Sequence, residues 1–193
     1  REATFYSADI RDPAASQALI ESVAERFGRL DILVNNAGGG PPVAAADASA
    51  ELTQKIISLN LLAPLVLSQQ AHPLLMTAPG GGAIVNIASV SGARPSPGTA
   101  AYGAAKAGLL NVTKSLAMEW GPQIRVNALI VGLVHNEAGV EHYGGEEGFK
   151  RVADMLPLKR MASPDYGEAW FDFSVRPRKL RSPKPQGLRF HAR

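Results

Sequence analysis

Short apolar runs alternate with helix-like segments along this chain, and that alternation constrains its fold more than any other feature. Four runs are strand-like: ATFYSADI at 3–10, LDILVNN at 30–36, AIVNIAS at 83–89 and IRVNALIV at 124–131. Strands that are apolar throughout and separated by helices are typical of a parallel sheet covered on both faces. The sequence therefore predicts an α/β protein built on a doubly wound parallel sheet.

Four segments carry the signals of helices, namely residues 13–27, 49–77, 101–120 and 146–156. The first is well delimited, because Asp12 is a good N-cap, Pro13 fits the first helical position and Gly28 suits the end. Its apolar residues recur at helical spacing and predict one buried stripe of Leu19, Ile20, Val23 and Phe27. In the second segment Ser49 is the predicted cap, and Pro64 marks a kink or the end of the helix.

The composition fits a soluble globular protein, with 46% hydrophobic residues, 19% charged residues and no cysteine. The lack of cysteine excludes disulfides and thiolate metal sites, and the four histidines show no metal-ligand spacing. The most apolar run, IISLNLLAPLVL, is interrupted by Ser58, Asn60 and Pro64. It falls short of the roughly 18 residues of a membrane span. We therefore expect a cytoplasmic protein with no metal and no membrane partner.

The basic character of the chain belongs to its last residues. Seven of the 20 Lys and Arg but only one of the 17 Asp and Glu lie from Trp170 onward, so the rest of the chain is slightly acidic. Residues 169–193 are also rich in proline, which predicts a disordered basic tail after a domain at 1–168. A nucleic-acid partner is not expected, because the tail has few aromatic residues and no recognition fold precedes it.

Tyr102 and Lys106 are the first pair of residues that indicates chemistry. Their i, i+4 spacing in the helix at 101–120 places them on one face, about 6 Å apart. An ammonium beside a phenol favours the phenolate, as general acid–base catalysis requires. The pair alone is weak evidence, because Tyr-x-x-x-Lys occurs by chance in many helices.

Other polar residues stand where strands end, and ligands of parallel sheets gather at the carboxyl ends of the strands. Ser89 ends a strand thirteen residues before Tyr102, and its hydroxyl could hydrogen-bond a substrate oxygen. The run NNAG at 35–38 follows another strand and lets the backbone approach a flat ligand. Asp9 closes the first strand, and Asn60 lies in a helix, where asparagine is a poor former. Each residue also has a structural interpretation as a turn, strand cap or surface position, so only their joint occurrence indicates a functional site.

Together these residues resemble the short-chain dehydrogenase/reductase family, in its common single-domain branch. The matching segments are Asp9 with its hydrophobic neighbour, NNAG, the helix Asn60, Ser-x12-Tyr-x-x-x-Lys and RVN within IRVNALIVG, in the family's order over about residues 3–168. The resemblance implies a Rossmann-like fold, NAD or NADP as cofactor and a small ketone or secondary alcohol as substrate. It also implies a homodimer or homotetramer in the complete enzyme.

The resemblance further implies a role for each matching residue. Tyr102 is the implied acid/base, Lys106 assists its ionisation and holds the nicotinamide ribose, and Ser89 orients the carbonyl. Asn60, through its backbone in a kinked helix, is implied to hold a water that links Lys106 to solvent. The implied cofactor contacts are Asp9, Ile10, Asn36, Ala37, Gly38, Tyr102, Lys106, Gly132 and Val134.

Several departures from the family's pattern affect these expectations. The Gly-rich turn that holds the pyrophosphate at a helix N-terminus has no counterpart. We therefore expect a partial sheet without the family's first two strands, and weakened cofactor binding. The basic tail replaces the last helix and strand, so the final strand is expected to be absent too. Val131-Gly132 stands in place of Pro-Gly, and Asn136 in place of a threonine that contacts the carboxamide.

Two alternatives to an active oxidoreductase remain open at this stage. A non-catalytic fragment could retain only oligomerisation through the helices at 49–77 and 101–120, which resemble those by which family members associate. A dehydratase or epimerase of the same superfamily would share Tyr-x-x-x-Lys, although the intact NNAG counts against it.

Overall fold

A three-stranded parallel sheet forms the centre of the computed structural model, which describes residues 3–135, 140, 144–156 and 158–163. The strands follow one another in the order β1 (Ile32–Asn35), β2 (Gly82–Ser89) and β3 (Ile124–Val131). Asn35 pairs with Asn86, and Ser89 pairs with Val131. The carboxyl ends of the strands therefore lie at one edge of the sheet. Three of the four predicted strands are confirmed.

The helices form where the sequence predicts them: α1 (Pro13–Phe27), α2 (Ala50–Ile57), α3 (Ala63–Met76), α4 (Ala100–Trp120) and α5 (Glu146–Met155). Both predicted caps are confirmed, because the Asp12 carboxylate accepts from the Ala14 N–H and Ser49 Oγ accepts from the Leu52 N–H. Gly28 follows α1 with φ of 67°, a conformation that glycine adopts at little cost.

Helices α3 and α4 pack on one face of the sheet. The core on that face joins Ile20 of α1, Leu75 of α3 and Leu116 of α4 to Ile84 and Ile124 of the sheet. Burial of each such aliphatic side chain stabilises the fold by about 1.5–3 kcal/mol. This core fixes α4 against β2 and β3, which is the arrangement that positions the candidate site.

The strand predicted at 3–10 is wrong. Residues 3–9 form no strand, and Phe5 is 88% exposed. The apolar residues of this segment give it strand propensity, but a short strand is stable only when it pairs with a neighbour and buries one face. Within the described residues, β1 is the edge of the sheet and pairs with β2 alone.

The cover predicted on both faces of the sheet is incomplete at β1 among the described residues, although β2 is buried on both faces. Ile32 and Val34 alternate with the α3-facing residues of β1 and are more than a third exposed. In α1, Ile20 is buried, but Phe27 is 53% exposed, so the predicted stripe does not extend to the helix end. The expected tail at 169–193, the domain boundary at 168 and Asn136 lie outside the described residues.

The stretch 50–76, from α2 to α3, is long and apolar enough by length and composition to cross a membrane, although the sequence predicts no such segment. A core helix of a soluble protein meets the same criterion. Here Asn60 and Ser68 are buried and hydrogen-bond to Gly39 and Asn35, so the polar side of the stretch packs against β1 and the loop that follows it.

Candidate active site

Ser89 lies at the carboxyl end of β2, beside the end of β3. Its side chain is 8% exposed, and its Oγ accepts a hydrogen bond from the Ser91 N–H at 3.2 Å. A serine hydroxyl can donate while it accepts, so this contact orients Oγ and leaves its hydrogen able to donate to a substrate oxygen.

Helix α4 presents Lys106 and Tyr102 to the same end of β2. Lys106 is 3% exposed, and its Nζ donates to the Ile87 carbonyl at 2.7 Å, two residues before Ser89. Its Nζ lies 5.7 Å from the centroid of the half-buried Tyr102 ring, as the i, i+4 spacing predicts. Burial lowers the pKa of Lys106, because the ammonium loses solvation. The Lys106 ammonium is thus hydrogen-bonded to strand β2 and shielded from solvent, unlike an exposed lysine on a helix surface.

A 3₁₀ turn, Val90–Gly92, follows Ser89 and packs against the backbone of helix α4. A Cβ on Gly92 would lie 2.5 Å from the carbonyl carbon of Lys106 and 2.7 Å from the backbone nitrogen of Ala107. The segment after Ser89 can therefore approach the helix backbone this closely only because residue 92 has no side chain.

Substituting Gly92 with alanine should push this segment away from α4. Because the clash is with backbone atoms, we expect a loss of about 1–3 kcal/mol in the free energy of unfolding, measured by urea denaturation. Gly132→Ala is the matched control, since a Cβ there meets only Val90 Cγ1 at 3.8 Å. Equal stabilities of the two variants would contradict the close approach.

Asn60 occupies a π-helical turn, Ser58–Leu62, between α2 and α3. Pro64 has no N–H, so the Asn60 carbonyl cannot receive the i+4 hydrogen bond of an α-helix. The fully buried side chain holds the loop after β1: Nδ2 donates to the Gly39 carbonyl at 2.8 Å, and Oδ1 accepts from the Gly39 N–H at 2.9 Å. The proline therefore explains why a π-helical turn interrupts the α-helix here, where the sequence predicts a kink or the end of the helix.

Gly38 lies against the side chains of both Asn60 and Lys106. A Cβ on Gly38 would lie 2.7 Å from Asn60 Oδ1 and 3.1 Å from Lys106 Nζ. The structure thus brings together three of the predicted site residues that come from the loop, the kinked helix and α4. Asn36 and Ala37 precede Gly38 in the same loop and are exposed.

The other predicted cofactor residues lie in the segment before α1 and in the segment after β3. The Asp9 carboxylate pairs with Arg11 at 2.7 Å, and hydrogen bonds from Arg11 lower the pKa of Asp9 to about 2. Ile10 packs against the core. Gly132 is exposed directly after β3, and Val134 forms a parallel bridge with Ala162.

A buried polar network beneath the site was not predicted. Asn35 Nδ2 donates to Asn86 Oδ1 at 2.8 Å and to Ser68 Oγ at 3.1 Å, and Asn86 Nδ2 donates to Thr113 Oγ1 at 2.9 Å. Asn35 is therefore a buried strand residue, not the turn residue that one interpretation allowed. The available signal was Asn86 itself, a single amide in an otherwise apolar strand, which requires buried partners.

The burial of Lys106 predicts a specific dependence of stability on pH. Its pKa is 10.5 in the unfolded chain and lower in the folded one. Between these values the unfolded chain binds more protons, so the free energy of unfolding rises with pH through that window. Urea denaturation should therefore show the native protein gaining stability over Lys106→Met as the pH rises towards 10.5.

The exposed Lys114 of the same helix provides the control, because Lys114→Met removes a charge without removing a buried ammonium. The difference between the native protein and this variant should vary less with pH. A difference between the native protein and Lys106→Met that does not change with pH would contradict the burial of the charged group.

Comparison with known proteins gives a consistent result. The family model described as Enoyl-(Acyl carrier protein) reductase matches residues 1–169. A D-threitol dehydrogenase of Mycolicibacterium smegmatis is 35% identical over 161 residues, which are 83% of this chain and 61% of that protein. A short-chain type dehydrogenase/reductase of Sinorhizobium fredii is 39% identical over 157 residues, which are 80% of this chain and 28% of that protein. The chain thus spans less than two thirds of the length of these relatives.

Solved structures confirm the predicted Rossmann-like α/β fold. A variant of actinorhodin polyketide ketoreductase, determined with NADPH, matches with a TM-score of 0.82 and 32% identity, over 89% of this chain and 70% of that chain. An NAD⁺-bound xylitol dehydrogenase matches with a TM-score of 0.81 over 89% of this chain and 72% of that chain. At 23% identity the second likeness concerns the fold alone.

Proposed function

Because this chain belongs to the short-chain dehydrogenase/reductase family, we propose that its site takes part in the NAD(P)-dependent interconversion of a ketone and a secondary alcohol. The dinucleotide, when bound, supplies or accepts the hydride. The small, exposed residues Asn36, Ala37 and Gly38 fit a flat ligand that lies across the carboxyl ends of the strands. Gly132 adds an open position at the end of β3, next to Val90.

The buried ammonium of Lys106 is the observation that supports this proposal most strongly. It is anchored to β2 two residues before Ser89 and lies 5.7 Å from the Tyr102 ring. In the proposed reaction Tyr102 gives the proton to the substrate oxygen or takes it away, and the Ser89 hydroxyl donates to the same oxygen. Lys106 favours the phenolate that remains when Tyr102 has given up its proton.

Asn60 is proposed to complete the proton path. The i+4 amide that would bond its backbone carbonyl is absent at Pro64, so this carbonyl can accept a hydrogen bond from a water. Its side chain is already engaged with Gly39, close to Lys106 Nζ. A water at this carbonyl would return protons to Tyr102 by way of Lys106.

The proposal is tested by incubating the purified chain with NAD⁺ or NADP⁺ and a panel of secondary alcohols, and following the absorbance of the reduced nicotinamide. The expected result is turnover with one of the two dinucleotides at high concentration, because weak cofactor binding is expected, and Ser89→Ala should be much slower. The absence of turnover with either dinucleotide, across the panel and in the reverse direction with ketones, would contradict the proposal.

We also propose that the chain associates with copies of itself through its long helices. Leu62, Met76 and Met118 are between 42% and 86% exposed on the segments 58–76 and α4. Exposed apolar side chains favour a protein contact where they form a contiguous patch, and these three lie on the helical segments that the sequence predicts to associate. Sedimentation equilibrium should therefore give a mass above 20.4 kDa, and Met118→Glu should lower it. A monomer at all concentrations would contradict this proposal.

A further inference from the structure

A cavity of about 320 Å³ lies beside Tyr102. Val43 and Ala45 of the loop after β1 form one wall, Ile56 and Ile57 of α2 form the second, and Ala101 and Tyr102 of α4 form the third. We call this the Tyr102 cavity. Its lining is mostly apolar, its polar side chains are those of Thr53, Thr99 and Tyr102, and no charged side chain lines it among the residues that the structure describes.

The walls of the Tyr102 cavity are held in place by contacts outside it. The Val43 N–H donates to the Gly98 carbonyl at 2.7 Å, which ties the loop after β1 to the segment before α4. Gly40 lies against Ile56, where a Cβ would meet the isoleucine side chain at 3.3 Å. The cavity is therefore largely formed before any ligand binds, as small-molecule sites usually are.

The mostly apolar lining of the Tyr102 cavity favours an apolar ligand over a polar one. An apolar substituent would displace water from the cavity and gain the hydrophobic contribution of burial. A polyol of the same size would bury several hydroxyls against a lining in which only Thr53, Thr99 and Tyr102 carry a hydroxyl, and its aliphatic side chains offer no hydrogen bonds. A dry apolar cavity of about 150 Å³ holds one benzene ring, so this cavity has roughly the volume of two such rings.

We propose that the Tyr102 cavity receives a hydrocarbon substituent of the substrate. The substrate is then a ketone or secondary alcohol that carries a ring or an aliphatic chain next to the reacting carbon, and not a polyol. This inference rests on the proposed function, because it assigns the carbonyl oxygen of the same molecule to Tyr102.

The test measures binding separately from turnover. Calorimetric titration of the full chain with cyclohexyl methyl ketone and with dihydroxyacetone compares an apolar with a polar ketone. The cyclohexyl ketone should bind at least ten-fold more tightly. Ala104→Phe, which fills the Tyr102 cavity from α4, should weaken that binding at least ten-fold.

Ala107→Phe is the matched control, because Ala107 is exposed on the same helix and does not line the Tyr102 cavity. It should leave the affinity unchanged. If Ala104→Phe fails to fold, Ala45→Phe fills the cavity from the exposed loop. Equal affinities for the two ketones, or an affinity that neither filling variant changes, would overturn the inference.

The two proposals fail in different ways. Binding of the cyclohexyl ketone that is lost in the filling variants, without any turnover, supports the cavity assignment and contradicts the proposed function. Turnover of dihydroxyacetone without binding of the cyclohexyl ketone overturns the cavity assignment and leaves the proposed function in place.

Discussion

Replacing Tyr102 by phenylalanine is expected to lower kcat by about 10²–10⁴-fold, the contribution of a positioned general acid or base. The variant keeps the ring beside Lys106 Nζ and removes only the hydroxyl. The fold should therefore be retained, and the loss should lie in the chemical step more than in KM. Steady-state kinetics with the dinucleotide and the best alcohol of the panel provide the measurement.

Tyr6→Phe is the control for this experiment. Tyr6 is 37% exposed in the irregular segment before α1, and it has no role in the proposed chemistry. Removing the Tyr6 hydroxyl should leave kcat unchanged. A Tyr102→Phe variant that turns over at the rate of Tyr6→Phe would contradict the assignment of Tyr102 as the acid/base.

Replacing Asn86 by leucine is expected to cost about 2–4 kcal/mol in the free energy of unfolding. The leucine has the same branching and the same number of side-chain heavy atoms, but it removes the acceptor of Asn35 Nδ2 and the donor to Thr113 Oγ1. Each buried polar group left without its partner costs roughly 1–3 kcal/mol. Asn35 Nδ2 keeps its contacts with Ser68 Oγ and the Pro64 carbonyl, and Thr113 Oγ1 keeps its contact with the Leu109 carbonyl. Urea denaturation of the two proteins provides the measurement.

A double variant separates the network from simple packing. Thr113→Val removes the hydroxyl that Asn86→Leu leaves without its amide donor. The combined variant should therefore be less destabilised than the sum of the two single variants. Fully additive losses would show that Asn86 and Thr113 act independently and would contradict the network.

The elements that sequence reasoning predicts correctly are those with strong local signals. The strands β1 to β3 are continuous apolar runs, and α1 has a cap, a proline and a final glycine in their usual places. The segment 3–10 has a similar apolar pattern but lacks a partner strand among the described residues. Strand formation depends on such a partner, which local sequence does not reveal. Phe27 is exposed for a similar reason, because the burial of a helix residue depends on which other segments pack against the helix, and local sequence does not show this.

The candidate site likewise combines contacts that local sequence predicts with contacts that it does not. The spacing of Tyr102 and Lys106 is local, so their proximity follows from the period of a helix. The hydrogen bond from Lys106 to the Ile87 carbonyl and the approach of Gly92 to α4 join segments that are far apart in the sequence. No spacing rule predicts such contacts. Pro64 is an intermediate case, since its missing N–H predicts an interruption of the α-helix but not that the interruption is a π-helical turn.

The central claim is that Ser89 and Tyr102 act on one substrate oxygen, and a double-mutant cycle on kcat/KM tests it most directly. Ser89→Ala, Tyr102→Phe and the combined variant are compared with the native chain. If both hydroxyls act on the same oxygen, the combined variant should be little slower than the slower single variant, because their effects are not independent. Losses that multiply fully in the combined variant would contradict a shared oxygen and with it the assigned site.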